Sequence, residues 1–488
     1  MPSRSSADKP PASSHHWVGH MPGHDGLIRV NLPLTGGTAS FDTPADLHFG
    51  HQLHPERPFD PQAWRDRIGE YSDGDISLVL GMWSDDTIGA PYPFYADLDH
   101  DVVVRLTPIA ENRLLSEQGE EITFGDDGEL RIAIDRSEAT LLRTQSPAEE
   151  EVSFLVSGEA TVLAGTLLRP AGDDPVPGVV LAHGSVPHQR DFYRTWAHAM
   201  VRAGVAALIF DRQGHGASTG EPRTGLRDNA AGIEAALDFL NTRDDISTVG
   251  LWGISNGMWT VPLVAARRPD VAFIAGTSAS GVTMAEAEVH RRTTALAEGG
   301  VAPKAVKEAA EAWRLLFAMY AAGSGTGTQI VELEDLLAKL RAESTVRTFA
   351  VPEYAKHQPM LSPLPPLAPA GETAGKLGEA NADMQYDPAG SYRVISCPVL
   401  LQFGADDPNI PGEASAERIS AALEEGGNKD VTVSTYAGAG HLLESTDGEV
   451  VGMTREQATY GLHGVRLAPG VIGELIDWIR QRAEPAED

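Results

Sequence analysis

A serine between two glycines has the clearest chemical meaning of any pattern in this chain. Gly253–Gly257 (Gly-Ile-Ser-Asn-Gly) follows the apolar stretch Thr248–Trp252 and precedes the apolar stretch Met258–Ala266. The first stretch is typical of a buried strand and the second of a buried helix. The pattern therefore predicts a sharp strand-to-helix turn that holds the Ser255 hydroxyl clear of the sheet, as a nucleophile must be.

The same spacing occurs a second time, at Gly216–Gly220 (Gly-Ala-Ser-Thr-Gly). This copy lies in a glycine-rich loop and runs directly into Glu221 and Pro222, so no helix follows it immediately. The context favours Ser255 as the nucleophile and predicts that Ser218 is a loop serine.

A serine hydroxyl attacks a carbonyl only when a base takes its proton and a third group orients that base. When a nucleophilic serine lies on such a turn between a strand and a helix, the acid follows the serine along the chain and ends a later strand. The stretch Pro398–Phe403 is such a strand, and Gly404–Pro411 after it contains the adjacent residues Asp406 and Asp407. Two adjacent aspartates cannot both face one imidazole, and the Gly-x-x-Asp spacing with proline four residues later favours Asp407.

The base is expected after the next strand. Val431–Tyr436 reads as that strand, and the small residues Ala437–Gly440 lead from it to His441. The alternative, His463, follows no clear strand, so the order of elements favours His441.

Negative charge that develops on a substrate carbonyl oxygen needs preorganised donors, commonly two backbone N–H groups. One is predicted to be the amide of Asn256 at the start of the helix after Ser255. The other is predicted to be the amide of Ser185, in the loop His183-Gly184-Ser185 after an apolar strand. In this interpretation His183 shapes the loop and is not the base.

Strands and helices alternate from about residue 151 onwards. Pro177–Ala182 and Val205–Phe210 are wholly apolar, as in a parallel sheet covered on both faces, and Tyr193–Arg202 between them reads as a helix. We therefore predict an α/β fold with a doubly wound, mostly parallel sheet. Residues 282–385, approximately, interrupt the alternation with helical patterns, and an insertion of that length suggests a cap.

The chain has 488 residues, which exceeds one typical domain. Residues 1–26 are rich in Ser, Pro, Gly and His and are predicted to be a flexible tail. Residues 27–150 show the period-two alternation of a β-rich domain, and residues 151–488 form the α/β domain with its cap.

Composition and net charge argue against some classes of partner and indicate a cellular compartment. The formal net charge of −31 disfavours nucleic acid and anionic membrane surfaces. With no apolar run near the ~18 residues of a membrane span, no signal-like start and one cysteine, Cys397, we expect a cytoplasmic protein. We expect no metal site either at the histidines of the first 54 residues, which are His15, His16, His20, His24, His48, His51 and His54.

Taken together, the motifs resemble those of bacterial serine esterases of the α/β-hydrolase superfamily that carry an HGSGP-type oxyanion loop, a helical cap and an extra β-rich N-terminal domain. The resemblance is carried by the serine turn, His183–Asp191, Phe210–Gly220 and Gly404–Pro411. It implies hydrolysis of small-molecule carboxylic esters through an acyl-enzyme, with Ser255, Asp407 and His441 at the triad positions. It implies no cofactor.

The chain departs from that group at two positions, since Asn256 stands where an acidic residue is frequent and Val186 where glycine is frequent. Both changes would reshape the acyl pocket. The superfamily also holds thioesterases, peptidases, acyltransferases and non-catalytic binding proteins, which remain alternatives. For the β-rich domain, the hypotheses are that it covers the cap or mediates self-association into a homo-oligomer.

Overall fold

The computed structural model describes residues 14–20, 27–33, 54–55, 59–85, 89–116, 120–125, 128–134, 137–145, 147–185, 189–223, 225–352, 355–356, 361–375, 381–446 and 465–483. The chain divides into two compact units. The first comprises residues 1–84, 88–146 and 448–466, and the second comprises residues 85–87, 147–447 and 467–488.

The elements of the first unit, in the part of it that the structure describes, are mainly β-strands. Its strands are β1 (Ser14–His20), β2 (Leu27–Pro33), β3 (His54–Pro55), β4 (Gly69–Ser72), β5 (Ser77–Asp85), β6 (Gly89–Asp97), β7 (Val102–Pro108), β8 (Arg113–Ser116), β9 (Glu121–Phe124), β10 (Leu130–Ile134), β11 (Ser137–Arg143) and, far along the chain, β20 (Val465–Arg466). One short helix, α1 (Pro61–Arg65), begins at an Asp60 cap whose carboxylate accepts the amides of the first turn.

Eight of these strands close into an antiparallel barrel in the order β7-β6-β5-β4-β11-β10-β9-β8, because β7 also pairs with β8. Closure leaves no open sheet edge between the eight strands. Alternate residues face inward, as in β9, where Ile122 and Phe124 are buried and their neighbours are not. The β-rich domain predicted from the alternation is confirmed, although its closure was not predicted.

Two features differ from the predicted domain boundaries. β1 lies within the stretch predicted to be a tail, and antiparallel pairing with β2 along its whole length orders it. The chain also returns to the first unit late, when Val465 and Arg466 pair with Val103 and Val102 of β7. A two-residue strand has too little periodicity to be read from sequence.

The second unit is built on an eight-stranded sheet with the order β12-β13-β15-β14-β16-β17-β18-β19. These strands are β12 (Ala148–Leu155), β13 (Val162–Arg169), β14 (Val176–Ala182), β15 (Ala206–Phe210), β16 (Ile246–Ile254), β17 (Val271–Thr277), β18 (Val399–Gly404) and β19 (Val431–Tyr436). β12 and β13 form an antiparallel hairpin, β13 pairs antiparallel with β15, and the pairings from β15 to β19 are parallel. The predicted doubly wound, mostly parallel sheet is confirmed.

Helices cover this sheet and connect its strands. They are α2 (Arg194–Arg202), α3 (Leu226–Asn241), α4 (Gly257–Ala265), α5 (Met284–Glu298), α6 (Pro303–Ala322), α7 (Gly327–Ala342), α8 (Ser344–Thr348), α9 (Ala370–Gly375), α10 (Ala389–Tyr392), α11 (Gly412–Glu425) and α12 (Val471–Ala483), with 3-10 turns at Arg190–Tyr193 and Ala382–Gln385. β15 and β18 are buried along their whole length and β14 from Gly178 onwards, as expected for a sheet covered on both faces.

Helices α5 to α9 lie between β17 and β18, in the stretch predicted as an insertion. They form an apolar cluster of their own around Trp313 and Phe317 of α6, whose rings stack with centroids 5.2 Å apart. The Trp313 indole is fully buried and donates to the carbonyl oxygen of Pro363 at 2.9 Å. α5 and α7 each begin with a capping box, at Thr283 and Thr326, which explains why they start there.

Among the residues that the structure describes, no helix is both long enough and apolar enough to cross a bilayer.

Candidate active site

Ser255 occupies the turn between β16 and α4, at the carboxyl edge of the sheet. Its φ is +53°, in the left-handed region that side chains rarely adopt. Two hydrogen bonds hold this conformation: the Ser255 amide donates to the carbonyl of Thr277 on β17 at 3.0 Å, and Met258 N donates to Ser255 O at 2.8 Å. The strained turn sets the hydroxyl off the end of the strand, as the sequence pattern predicts.

Neighbouring atoms lie close to both glycines of the motif. A Cβ at Gly257 would lie 3.0 Å from the carbonyl oxygens of both Ala182 and His183, at the end of β14. A Cβ at Gly253 would lie 2.9 Å from the Met258 sulfur. Helix α4 therefore packs so closely against the end of β14 that a side chain at residue 257 would crowd two backbone oxygens.

Asp407 lies in the loop after β18, and its carboxyl group is fixed by the local backbone. Its Oδ1 accepts the amides of Asn409 at 2.7 Å and Ile410 at 3.0 Å. Its neighbour Asp406 is exposed, and its carboxylate accepts the Thr446 hydroxyl at 2.9 Å. Of the two candidate aspartates, only Asp407 faces the imidazole.

His441 lies in a tight loop that follows β19. Gly438 has a φ of +65°, and Gly440 N donates to Glu444 O at 2.8 Å. A side chain at Gly404, the end of β18, would overlap the carbonyl oxygen of Gly440. The small residues that precede His441 thus let its loop lie directly on the strand end that carries the acid.

These three side chains, far apart in sequence, form one continuous line. His441 Nε2 lies 2.8 Å from Ser255 Oγ, and His441 Nδ1 lies 2.8 Å and 3.0 Å from the two oxygens of Asp407. A carboxylate only accepts hydrogen bonds, so Nδ1 carries the proton and Nε2 is left free to accept the serine proton. His441 and Asp407 are 4% and 9% exposed, which keeps water from competing for these bonds.

The charge environment raises the pKa of His441 above its ordinary value. Burial alone lowers it, but the charge of Asp407 and the hydrogen bond to it raise it by more, and Glu444 adds to this increase. Glu444 is itself buried, and its Oε2 accepts the amide of Leu442 at 2.6 Å. Arg291 of α5 acts in the opposite direction.

The residues predicted to supply the oxyanion amides, Asn256 and Ser185, belong to the serine turn and to the loop after β14. Asn256 is buried and precedes α4, so its amide belongs to the unpaired donors at a helix N-terminus. Gly184 lies against the serine turn, since a Cβ placed on it would be 3.9 Å from Ser255 Cβ. Ser185, the next residue, is exposed.

The competing residues are placed elsewhere. Ser218 Oγ donates to the carbonyl oxygen of Asp211 at 2.6 Å and accepts the Ala164 amide at 2.9 Å, so it stabilises a turn. His183 is buried and its Nε2 donates to Phe210 O at 2.5 Å. His463, like the oxyanion-loop residue Val186, lies outside the described residues.

Sequence reasoning missed two side chains that contact the loop at Gly184. The Tyr193 hydroxyl accepts the Gly184 amide at 2.9 Å, and Arg212 donates to the Gly184 carbonyl at 2.5 Å. Neither contact leaves a signal in residue spacing, because both partners are backbone atoms. Helical periodicity predicted only that Tyr193 begins a helix.

In the part of the chain that the structure describes, no three His, Cys, Asp or Glu side chains are grouped to hold a metal ion. Of the N-terminal histidines, His24, His48 and His51 lie outside that part.

Comparison with solved structures finds several remote likenesses. An esterase from Pyrococcus furiosus aligns with a TM-score of 0.40 and 13% identity, over 69% of this chain and 92% of that one. A 2,6-dihydroxy-pseudo-oxynicotine hydrolase aligns with a TM-score of 0.39 and 14% identity, over 69% and 68%. Est1E from Butyrivibrio proteoclasticus, solved with ferulic acid bound, aligns with a TM-score of 0.37 and 14% identity, over 68% and 96%.

No curated protein matches the chain in sequence. The model of the alpha/beta hydrolase family, however, matches residues 179–452, which is more than half of the chain. That stretch contains the serine turn, the acid loop and the histidine loop described above. The chain belongs to the alpha/beta hydrolase family.

Proposed function

We propose that this protein is a serine hydrolase that cleaves carboxylic esters through an acyl-enzyme on Ser255. The observation that carries the proposal is the line from Ser255 Oγ through both nitrogens of His441 to Asp407, with heavy-atom distances of 2.8 to 3.0 Å. Distances in this range permit direct proton transfer between the serine and the imidazole.

In the first half-reaction, Ser255 Oγ attacks the ester carbonyl carbon as its proton passes to His441 Nε2. Asp407 orients the imidazole and stabilises the imidazolium that forms, without taking the proton itself. The amides of Ser185 and Asn256 bind the oxyanion of the tetrahedral intermediate. When the intermediate collapses, His441 returns the proton to the leaving alcohol.

In the second half-reaction, water takes the place of the alcohol. His441 removes a proton from water as the oxygen attacks the acyl carbon. When this second tetrahedral intermediate collapses, His441 returns the proton to Ser255 Oγ and the carboxylic acid leaves. No step draws on a redox change, so the chemistry balances with ester and water alone.

We further propose that the insertion of helices α5 to α9 acts as a cap on this site. It follows β17 directly, and its residues Val282 and Ala287 pack in one apolar cluster with Trp259 of α4 and Ile410 of the acid loop. The charge of Arg291 on α5 also affects His441. The cap therefore contacts the elements that carry the reacting groups.

The reaction class is tested with matched substrates that share one acyl group and differ in leaving group. An ester, a thioester and an anilide of the same acid are compared by kcat/KM in wild type and Ser255→Ala. Ester turnover that exceeds anilide turnover and disappears in Ser255→Ala supports the proposal. Faster turnover of the anilide or the thioester replaces it with a peptidase or thioesterase, and acyl transfer to an added alcohol in preference to water identifies a transferase.

A further inference from the structure

Two side chains hydrogen-bond to the backbone of Gly184, one at its carbonyl oxygen and one at its amide. On one side, Arg212 Nη2 donates to the Gly184 carbonyl at 2.5 Å, and Arg212 Nη1 reaches the Ser185 carbonyl at 3.5 Å. On the other side, the Tyr193 hydroxyl accepts the Gly184 amide at 2.9 Å. The loop is thus held by Tyr193, the last residue of a 3-10 turn, and by Arg212, two residues after β15.

Both side chains are buried, which restricts their movement. Arg212 is 3% exposed and Tyr193 is fully buried. Burial raises the pKa of Tyr193 to about 12, despite the nearby charge of Arg212 and the Gly184 bond, so the phenol keeps its proton at neutral pH. Burial lowers the pKa of Arg212, yet a guanidinium starts so high that it stays charged in proteins.

The hydrogen bond from Arg212 to the Gly184 carbonyl also orients the Ser185 amide, at the opposite end of the same peptide group. The carbonyl of Gly184 and the amide of Ser185 belong to one planar group, and in a trans peptide they point in opposite directions. A hydrogen bond that fixes the carbonyl toward Arg212 therefore fixes the Ser185 N–H away from it. A cation at the oxygen also polarises the peptide, which strengthens its N–H as a donor.

We infer that Arg212 is a positioning residue that orients and polarises the Gly184–Ser185 peptide so that the Ser185 amide can bind the oxyanion, with Tyr193 bracing the preceding amide. The inference rests on the proposed function, because it assigns a role within the same reaction. Arg212 acts through its hydrogen bonds to the loop backbone. Its contribution is made in the transition state, where the oxyanion exists.

Three variants test this role in the full-length protein. Arg212→Met removes the charge and both donors, Arg212→Lys keeps the charge but not the forked geometry, and Tyr193→Phe removes only the brace. Arg194→Met is the matched control, since Arg194 is 4% exposed and pairs with Asp191 and Glu149 instead of the loop. Thermal melting and circular dichroism establish that each variant is folded.

Loss of one oxyanion donor lowers kcat by about 10²- to 10³-fold, and Arg212→Met is expected at the lower end of this range with KM changed less than about threefold. Affinity for a trifluoromethyl ketone analogue of the substrate, which forms a tetrahedral oxyanion, falls in parallel with kcat/KM. Arg212→Lys recovers part of the loss, and Tyr193→Phe loses less than Arg212→Met. Arg194→Met lowers stability but leaves both kcat and analogue affinity within about threefold of wild type, because Arg194 pairs with Asp191 and Glu149.

A folded Arg212→Met with kcat and analogue affinity within about threefold of wild type overturns the inference. If that variant does not fold, Arg212→Lys and Tyr193→Phe decide the matter by the same readouts, and wild-type values in both overturn it. An inactive wild type refutes the proposed function instead, so the two failures are distinguishable.

Discussion

Replacing Asp407 by asparagine is the most informative single change at this site, because the structure predicts which way the new amide will face. Asp407 Oδ1 accepts two backbone amides, from Asn409 and Ile410. Only an oxygen can accept them, so the asparagine carbonyl is expected at the Oδ1 position and its NH₂ group at the Oδ2 position, 2.8 Å from His441 Nδ1.

An NH₂ group at that position, the nearer of the two to Nδ1, donates to Nδ1 and favours the tautomer with the histidine proton on Nε2. The imidazole then faces Ser255 with a donor and cannot accept the serine proton. The substitution also removes the charge that stabilises the imidazolium, and two charges about 4 Å apart at an effective dielectric of about 20 interact by about 4 kcal/mol. That energy alone corresponds to a loss of about 10³-fold, and the wrong tautomer brings the expected loss of kcat to about 10⁴-fold.

The assay is steady-state ester hydrolysis from pH 5 to 10, with Asp406→Asn as the matched control. Asp406→Asn is expected to keep kcat within about twofold, since its carboxylate is exposed and bonds to Thr446. In Asp407→Asn, the residual activity has its acidic limb at lower pH than wild type, because burial then lowers the pKa of His441 unopposed by Asp407. A folded Asp407→Asn with kcat within tenfold of wild type and an unmoved limb would refute this reasoning.

Three further results are expected. The acidic limb of wild-type kcat/KM lies above about pH 6.5, since Asp407 raises the pKa of His441 and the base must be neutral to act; a limb below that value contradicts the charge environment described. Gly257→Ala destabilises the fold by about 1–3 kcal/mol in urea unfolding, because its Cβ would lie 3.0 Å from two carbonyl oxygens, whereas Gly473→Ala, with open space around its Cβ, is neutral or stabilising. Cys397 reacts with a disulfide reagent at pH 8 about 100-fold more slowly in the folded than in the urea-unfolded protein, because burial raises its pKa to about 11, and equal rates would show the thiol to be accessible.

The order of the reacting residues along the chain could be predicted because each of them occupies the same kind of position in the fold. Each reacting residue follows the carboxyl end of a parallel strand, so Ser255 after β16, Asp407 after β18 and His441 after β19 reach the same edge of the sheet. Wholly apolar strands and the small residues around them are visible in sequence. The choice of Asp407 over Asp406 also followed from local spacing, since its carboxylate closes a turn with the amides two and three residues on.

Other features depend on contacts that leave no local pattern. Alternation indicates the strands of the first unit, but nothing in β7 or β8 indicates that they pair and close the barrel. The hydrogen bond from Arg212 to Gly184 cannot be predicted from the sequence either, because Arg212 bonds to a backbone oxygen that every residue type carries. Only the three-dimensional arrangement of β14 and β15 brings the two together.

Covalent labelling measures directly whether Ser255 is an activated nucleophile, on which the proposed reaction depends. Wild-type protein is incubated with a fluorophosphonate, and intact-mass spectrometry with peptide mapping locates the adduct in parallel with Ser255→Ala and Ser218→Ala. One adduct is expected on Ser255, present in Ser218→Ala and absent from folded Ser255→Ala. A folded wild type that takes no label, or an adduct that persists in Ser255→Ala, would contradict the proposed reaction.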